Sequence, residues 1–203
     1  MKTLLITYLP RGDRSHTKKL VDFFKENYAH PYEELNLLKD PPDFFLTENL
    51  SAYIHHHYLG EKFSPQEEKS MAKMERMTSQ FKNADRVVIA FPMYNFSLPG
   101  MVKCYFDSVM LKGETWDAGP NGYQGLMAGK KALALSASGG NYQGERSGWD
   151  HCLPLAETLF RFMGFTEVDK VAIAGVNMPG ANVEKMVKDE EDKLRSIIEK
   201  WDA

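Results

Sequence analysis

The chain has 203 residues, 43% hydrophobic and 26% charged, which suits one domain with a full core and excludes a disordered polymer. Its net charge of −3, from 28 acidic and 25 basic residues with the signs well mixed, excludes a dedicated nucleic-acid binder. No apolar run approaches the roughly 20 residues that span a bilayer, and two cysteines, Cys104 and Cys152, are too few for a disulfide framework. The amino terminus MKTLLITYLP is too short and too β-branched for a signal peptide, so a cytoplasmic protein is expected.

Strand and helix signals alternate along the chain. TLLITY (3–8) is a short apolar run that stops at Pro10 and Gly12. Ser15 or Thr17 then offers an N-cap for a helix whose face is Leu20, Val21, Phe23 and Phe24. YEELNLL (32–38) reads as a second strand. Residues 39–64 form a long connection carrying Phe44, Phe45, Tyr53, Tyr58 and Phe63, too aromatic for disorder and expected to pack against something. Met71, Met74, Met77 and Phe81 have helical spacing within 67–81. RVVIAF (86–91) is a third strand, and 99–111 a helix. KKALALSAS (130–138) is a fourth strand ending in Gly139-Gly140, and 153–163 a helix stopped by Gly164. Residues 167–174 give a fifth strand, and 183–201 a closing amphipathic helix.

Strands 1, 3, 4 and 5 are apolar throughout, the pattern of parallel strands covered on both faces. Alternating β and α segments imply right-handed crossovers and a doubly wound α/β sheet with helices on both faces. Five strands fit two common topologies, one of them with the order 2-1-3-4-5. The chain reads as a single domain, 1–203, with an aromatic insertion at about 39–64.

In such a sheet ligands bind at the carboxyl ends of the strands, where the strand order reverses. After strand 1 comes LPRGDRSHT (9–17), with Arg11, Arg14, Ser15 and Thr17 at the start of a helix. Free N–H groups and the positive end of the helix dipole make that an anion site. The segment matches neither the dinucleotide glycine fingerprint nor the Walker A pattern. After strand 3 comes Pro92, Met93, Tyr94, Asn95, Phe96, an oddly apolar loop. After strand 4 come Ala137, Ser138, Gly139, Gly140 and Tyr142, whose paired glycines allow a backbone to approach a ligand closely. An anion cradle, a backbone-lined slot and flat apolar walls fit flavin mononucleotide (FMN), a phosphate joined to a planar tricycle.

The stretch VVIAFPMYNFSLPGMVKCYFDSV, then KGETW, then GLMAGKKALALSASGG, resembles the FMN-dependent NADH:quinone oxidoreductase and azoreductase family of flavodoxin-like fold, in order and spacing. The likeness runs over nearly the whole chain. It implies the strand order 2-1-3-4-5. It also implies that Ser15, His16 and Thr17 hold the phosphate, that Met93 to Phe96 line the N5 side of the ring, and that Ala137 to Gly140 meet its pyrimidine edge. Trp116 and Phe162 would lie near the exposed flavin face. Such proteins are homodimers. NADH or NADPH reduces the flavin by a two-electron ping-pong cycle, and a quinone or azo compound then takes the electrons. No side chain is expected to act as a catalytic acid or base. The sequence departs from the family at Leu9, where a serine usually touches the phosphate and Arg11 is a possible replacement. Ser138 replaces an arginine or threonine, and Ala118 replaces a tyrosine over the substrate.

Other readings are weaker. His55-His56-His57 has no accompanying cysteine or carboxylate cluster in sequence, so no metal is expected. Cys104 sits among apolar residues and reads as packing. GDRS (12–15) resembles the start of a serine hydrolase, but no late Asp-x-x-His follows, the last histidine being His151. A flavodoxin-type electron carrier is the alternative function, and the near balance of charge favours an enzyme over it.

Overall fold

The structure, a computed structural model, describes residues 1–202. In chain order the elements are β1 (Thr3–Thr7), α1 (His16–Asn27), β2 (Tyr32–Asn36), α2 (Thr47–His57), α3 (Pro65–Asn83), β3 (Arg86–Pro92), α4 (Gly100–Val109), β4 (Trp116–Gly119), β5 (Gly122–Gly125), β6 (Lys131–Ser138), α5 (Leu153–Phe162), β7 (Glu167–Ala174) and α6 (Val183–Asp202). Short 3-10 turns cover Gly12–Arg14 and Gly144–Trp149. Five strands form one parallel sheet in the order β2-β1-β3-β6-β7, which is 2-1-3-4-5 when only these strands are counted. The expected order and sheet are found.

The pleat sends successive side chains to opposite faces. Leu4, Ile6, Val87 and Ile89 meet Met77 and Phe81 of α3, Tyr105 and Phe106 of α4, and Phe160 of α5. Leu5, Val88, Leu133 and Val171 meet Leu20, Val21 and Phe24 of α1 and Leu194 and Ile198 of α6. A large apolar side chain buried this way contributes on the order of 1.5–3 kcal/mol. Every residue of β1 is buried, whereas in the edge strand β7 only Val168, Val171 and Ile173 are, so the expectation of a wholly apolar fifth strand is too simple.

Two elements were not expected. The 39–64 connection contains α2, whose Ala52 and Tyr53 are buried with Met71 and Met74 of α3 and with Leu111. Its end is latched to the loop after α4: His57 Nδ1 donates to the Lys112 carbonyl at 2.6 Å, and Lys112 Nζ donates to the His57 carbonyl at 3.1 Å. Leu46, Leu50, Ile54 and Tyr58, at intervals of four residues, leave an exposed apolar stripe on the outer face. The second is the antiparallel hairpin β4–β5. Among the described residues no helix is long and apolar enough to cross a membrane.

Candidate functional site

The loops after β1, β3 and β6 leave the same edge of the sheet, held in register as they go. Tyr8 N–H donates to the Ala90 carbonyl at 2.9 Å, and Met93 N–H to the Ala137 carbonyl at 3.0 Å. This is the carboxyl edge, with the reversal of strand order between β1 and β3.

Ser15, not Thr17, is the N-cap of α1, its hydroxyl accepting from Lys18 N–H at 3.4 Å. The first turn carries no acidic residue. Thr17 Oγ1 and His16 Nδ1 are buried and have no hydrogen-bond partner. A buried polar group left unpaired costs about 1–3 kcal/mol, so it marks a place where a partner belongs. Burial, then Lys19 and Arg11, hold the His16 pKa below the ordinary 6.5. Among the described residues Arg11, Arg14 and Lys19 form no ion pair, while Lys18 is engaged by Asp13 and Asp22. A positive field, free helix N–H groups and orphaned side-chain atoms fit a phosphate. Leu9, which stands where the family usually carries a serine, packs on the α1 and α6 side of the core.

The β3 loop closes in a two-residue turn. Tyr94 and Ser97 exchange N–H to carbonyl bonds of 3.1 and 3.0 Å, with Asn95 at φ 46° and Phe96 at φ 71°. Asparagine tolerates this left-handed region, but phenylalanine resists it, and such strain costs on the order of 1–3 kcal/mol. It is held by neighbours. The Phe96 carbonyl accepts from His151 N–H at 2.8 Å, and Ser97 Oγ donates to the His151 carbonyl at 3.2 Å. The Phe96 ring stands edge-on to Tyr142 and Trp149, 5.7 and 5.8 Å away. Tyr94 stands edge-on to Tyr8 at 6.4 Å. Burial and Tyr8 push the Tyr94 pKa up against Arg11, so Arg11 lies close enough to influence both this loop and the helix start. Strained backbone and exposed aromatics cluster where proteins hold ligands.

After β6, Ser138 Oγ donates to the Gly140 carbonyl at 2.8 Å, and the Gly139 carbonyl accepts from Asn177 N–H at 3.0 Å. A Cβ on Gly140 would stand 2.8 Å from the Tyr142 hydroxyl, and one on Gly139 would stand 2.5 Å from Asn177 Nδ2. The glycines thus let Tyr142 and Asn177 fold over the loop. A cavity of about 260 Å³ lies here, lined by Met93, Ala137, Ser138, Asn141, Tyr142 and Asp150 among others. It joins the second and third loops but not the start of α1. Cys152 is buried, and burial pushes its thiol up to about 12.

The structure therefore brings together Arg11, Ser15, His16 and Thr17 at one end of this edge, and Pro92 to Phe96 with Ala137 to Gly140 and Tyr142 at the other. Trp116 and Phe162 are not among them. They touch each other, with ring centroids 5.4 Å apart. Phe162 ends a helix that begins beside the β3 loop and leads to the amino end of β7. Sequence reasoning missed Tyr8, Asn141, Trp149 and Asp150. Only their nearness to the three loops could have pointed to them. Each residue of the histidine tract has a partner (Glu67, the Glu61 carbonyl and the Lys112 carbonyl). Among the described residues no group of three or more His, Cys, Asp or Glu is placed to hold a metal.

Comparison with known proteins agrees with this geometry. Residues 1–198 match the family described as having a flavodoxin-like fold. The chain is 35% identical over 182 residues to an FMN-dependent NADH:quinone oxidoreductase of Nitratidesulfovibrio vulgaris, covering 85% of this chain and 86% of the relative. It is 32% identical over 206 residues to FMN-dependent NADH:quinone oxidoreductase 2 of Pseudomonas putida, covering 97% and 98%. The solved azoreductase of Bacillus anthracis superposes with a TM-score of 0.91 at 26% identity, covering 98% of this chain and 99% of that one. Matched along its length by this family and these relatives, the chain belongs to the flavodoxin-like fold family of FMN-dependent NADH:quinone oxidoreductases.

Proposed function

We propose that this protein is an FMN-dependent NAD(P)H oxidoreductase that delivers two electrons to quinones or azo compounds and acts as a homodimer. One observation carries the reading. At a single sheet edge, a helix start with unpartnered Thr17 Oγ1 and His16 Nδ1 faces the same region as a strained turn bearing exposed aromatics.

Arg11, Ser15, His16 and Thr17 hold the phosphate, with the free N–H groups of the first turn of α1. Pro92 to Phe96 support one side of the ring system, and Ala137 to Gly140 with Tyr142 its other edge. When bound, FMN supplies the redox chemistry, taking two electrons from a reduced nicotinamide and giving them to the acceptor. The chain binds and orients. Its backbone donors are fixed before the reaction, so they need no reorganisation as charge develops. In this reading Trp116 and Phe162 contact substrate from a second copy, since they lie away from the loops of their own chain. The exposed stripe on α2 supports the dimer, being more apolar surface than one helix usually leaves to water. Residues 1–203 form one domain, with 39–64 as its insertion. The free, buried Cys104 and Cys152 suit the cytoplasm.

The test is the absorption spectrum of the purified protein, followed by turnover of NADH with menadione. Bound flavin and catalytic turnover are expected. Flavin without turnover would leave an electron carrier. A species of one chain mass at micromolar concentration would reject the dimer.

A further inference from the structure

The tract His55-His56-His57 lies outside the three loops, and its members differ. His55 and His56 are exposed, and their Nδ1 atoms meet Glu67 Oε1 and the Glu61 carbonyl, each at 2.8 Å. His57 belongs to a clasp around one residue of the loop after α4. Every polar group of Lys112 is held by α2. Its carbonyl accepts from His57 Nδ1 at 2.6 Å, its Nζ donates to the His57 carbonyl at 3.1 Å, and its N–H donates to the Tyr53 hydroxyl at 3.1 Å. Lys112 Nζ also stands over the Tyr58 ring, 5.3 Å from its centroid. The clasp matters because α2 buries little else: only Asn49, Ala52 and Tyr53, while Leu50 and Ile54 face out.

One protonation state suits the clasp. A carbonyl only accepts, so Nδ1 carries the proton and the neutral ring leaves Nε2 bare. Nε2 is buried and has no partner. Protonation would put a second N–H and a positive charge there with no acceptor. The groups around the ring do not supply one. On α2, the Tyr53 and His56 rings pack against it, each centroid 4.9 Å away, and burial pushes the Tyr53 pKa up to about 12, so that ring stays neutral. On the loop, Lys112 repels a proton, Asp117 lies with Lys112 at 3.4 Å, and Glu114 is paired with Lys82 of α3 at 2.5 Å. Glu75 of α3 lines with His57 a cavity of about 270 Å³, yet does not bond Nε2. Burial outweighs the Lys112 carbonyl and Glu114, and holds the His57 pKa below the ordinary 6.5.

We propose that His57 is the pin of an acid-sensitive latch: neutral, it clasps α2 to the Lys112 loop, and protonated, it lets α2 go. The inference stands apart from the oxidoreductase reading. Release uncovers Met71, Met74 and Leu111, which Ala52 and Tyr53 cover. The sign follows from the lowered pKa: the clasp is fully present above pH 6.5 and is lost as pH falls below it. His55 works weakly the other way, because protonation tightens its half-exposed contact with Glu67.

The experiment is hydrogen exchange of the purified full chain, read by mass spectrometry on residues 47–58 and on β3, with times scaled for the intrinsic rate. One unit below 6.5, protection of 47–58 in the wild type should have fallen by up to about tenfold, while β3 holds. His57→Gln, whose amide can still donate to the Lys112 carbonyl but does not titrate, should lose this pH dependence. His56→Gln should keep it. An NMR titration of the wild type, which needs no variant, should find His57 as the Nδ1–H tautomer with a pKa below 6.5. Protection of 47–58 that ignores pH overturns the proposal. So does a fall shared by β3, an unaltered pH dependence in His57→Gln, its loss in His56→Gln, or a His57 that titrates at 6.5 or above.

Discussion

The starts of α1 and α3 are the same kind of structure put to opposite uses. At α3 everything is satisfied internally. Pro65 occupies the first turn, Ser64 caps, and the Glu67 carboxylate accepts from Ser64 N–H at 2.8 Å and from Ser64 Oγ at 2.7 Å. Those bonds, led by the Ser64 N–H and followed by His55, pull the Glu67 pKa to about 2. The helix end carries its own anion. At α1 the cap is a single 3.4 Å contact, no acidic residue follows, Arg11 and Lys19 stand near, and Thr17 Oγ1 and His16 Nδ1 are buried without partners. A helix start with no carboxylate in its first turn and with Arg11 and Lys19 beside it suits an anion from outside, in keeping with the proposed phosphate site.

The largest way to break this contrast is to load the start of α1 with carboxylates. Changing Ser15 and Thr17 together to Glu sets two carboxylates against a phosphate, and like charges so placed cost several kcal/mol. FMN affinity should fall on the order of a thousandfold or more in a fluorescence titration, with circular dichroism separating lost binding from lost fold. Full flavin content in the folded variant would move the phosphate elsewhere. The mirror experiment touches α3. Ser64→Ala removes a cap and should cost about 1 kcal/mol in urea unfolding, while FMN affinity stays at the wild-type value. Because the folded Glu67 pKa is depressed from 4.5 to about 2, its stabilisation is present above pH 4.5 and is lost as pH falls towards 2. Unfolding curves over that range should be flatter in Glu67→Gln. The smallest effect concerns His16. Its folded pKa lies below 6.5, so it favours folding more as pH rises to that value and evenly above it. A bound phosphate reverses the local field, and NMR titration should find the His16 pKa raised when FMN is added. An unmoved titration counts against the cradle.

The parallel sheet is legible in the sequence because central strands must be apolar on both faces, and TLLITY, RVVIAF and KKALALSAS are. The site is legible for a related reason: the loops after such strands share one edge, so residues of three distant segments can be pooled from the strand pattern alone. The helix α2 is not legible. Its inward residues are Asn49, Ala52 and Tyr53, while Leu46, Leu50 and Ile54 face out, which reverses the usual contrast of an amphipathic helix. The β4–β5 hairpin is hidden in WDAGPNGYQG, four-residue strands rich in glycine. The Pro-Asn-Gly turn at 120–122 was the one available signal. The left-handed Phe96 has no local signature at all, since it is imposed by His151, Tyr142 and Trp149.

Thr17 tests the central claim most directly, because its hydroxyl is buried and unused in the protein alone. The measurement is a titration of FMN and of riboflavin, which lacks the phosphate, into apo wild type and apo Thr17→Val. If the start of α1 is the phosphate cradle, the wild type prefers FMN by on the order of a hundredfold or more. Thr17→Val then loses about tenfold of that preference, with riboflavin affinity unchanged and apo stability raised, because a buried hydroxyl without a partner costs folding free energy that a valine methyl does not. Equal affinity for the two flavins, or a preference untouched in Thr17→Val, would contradict the account.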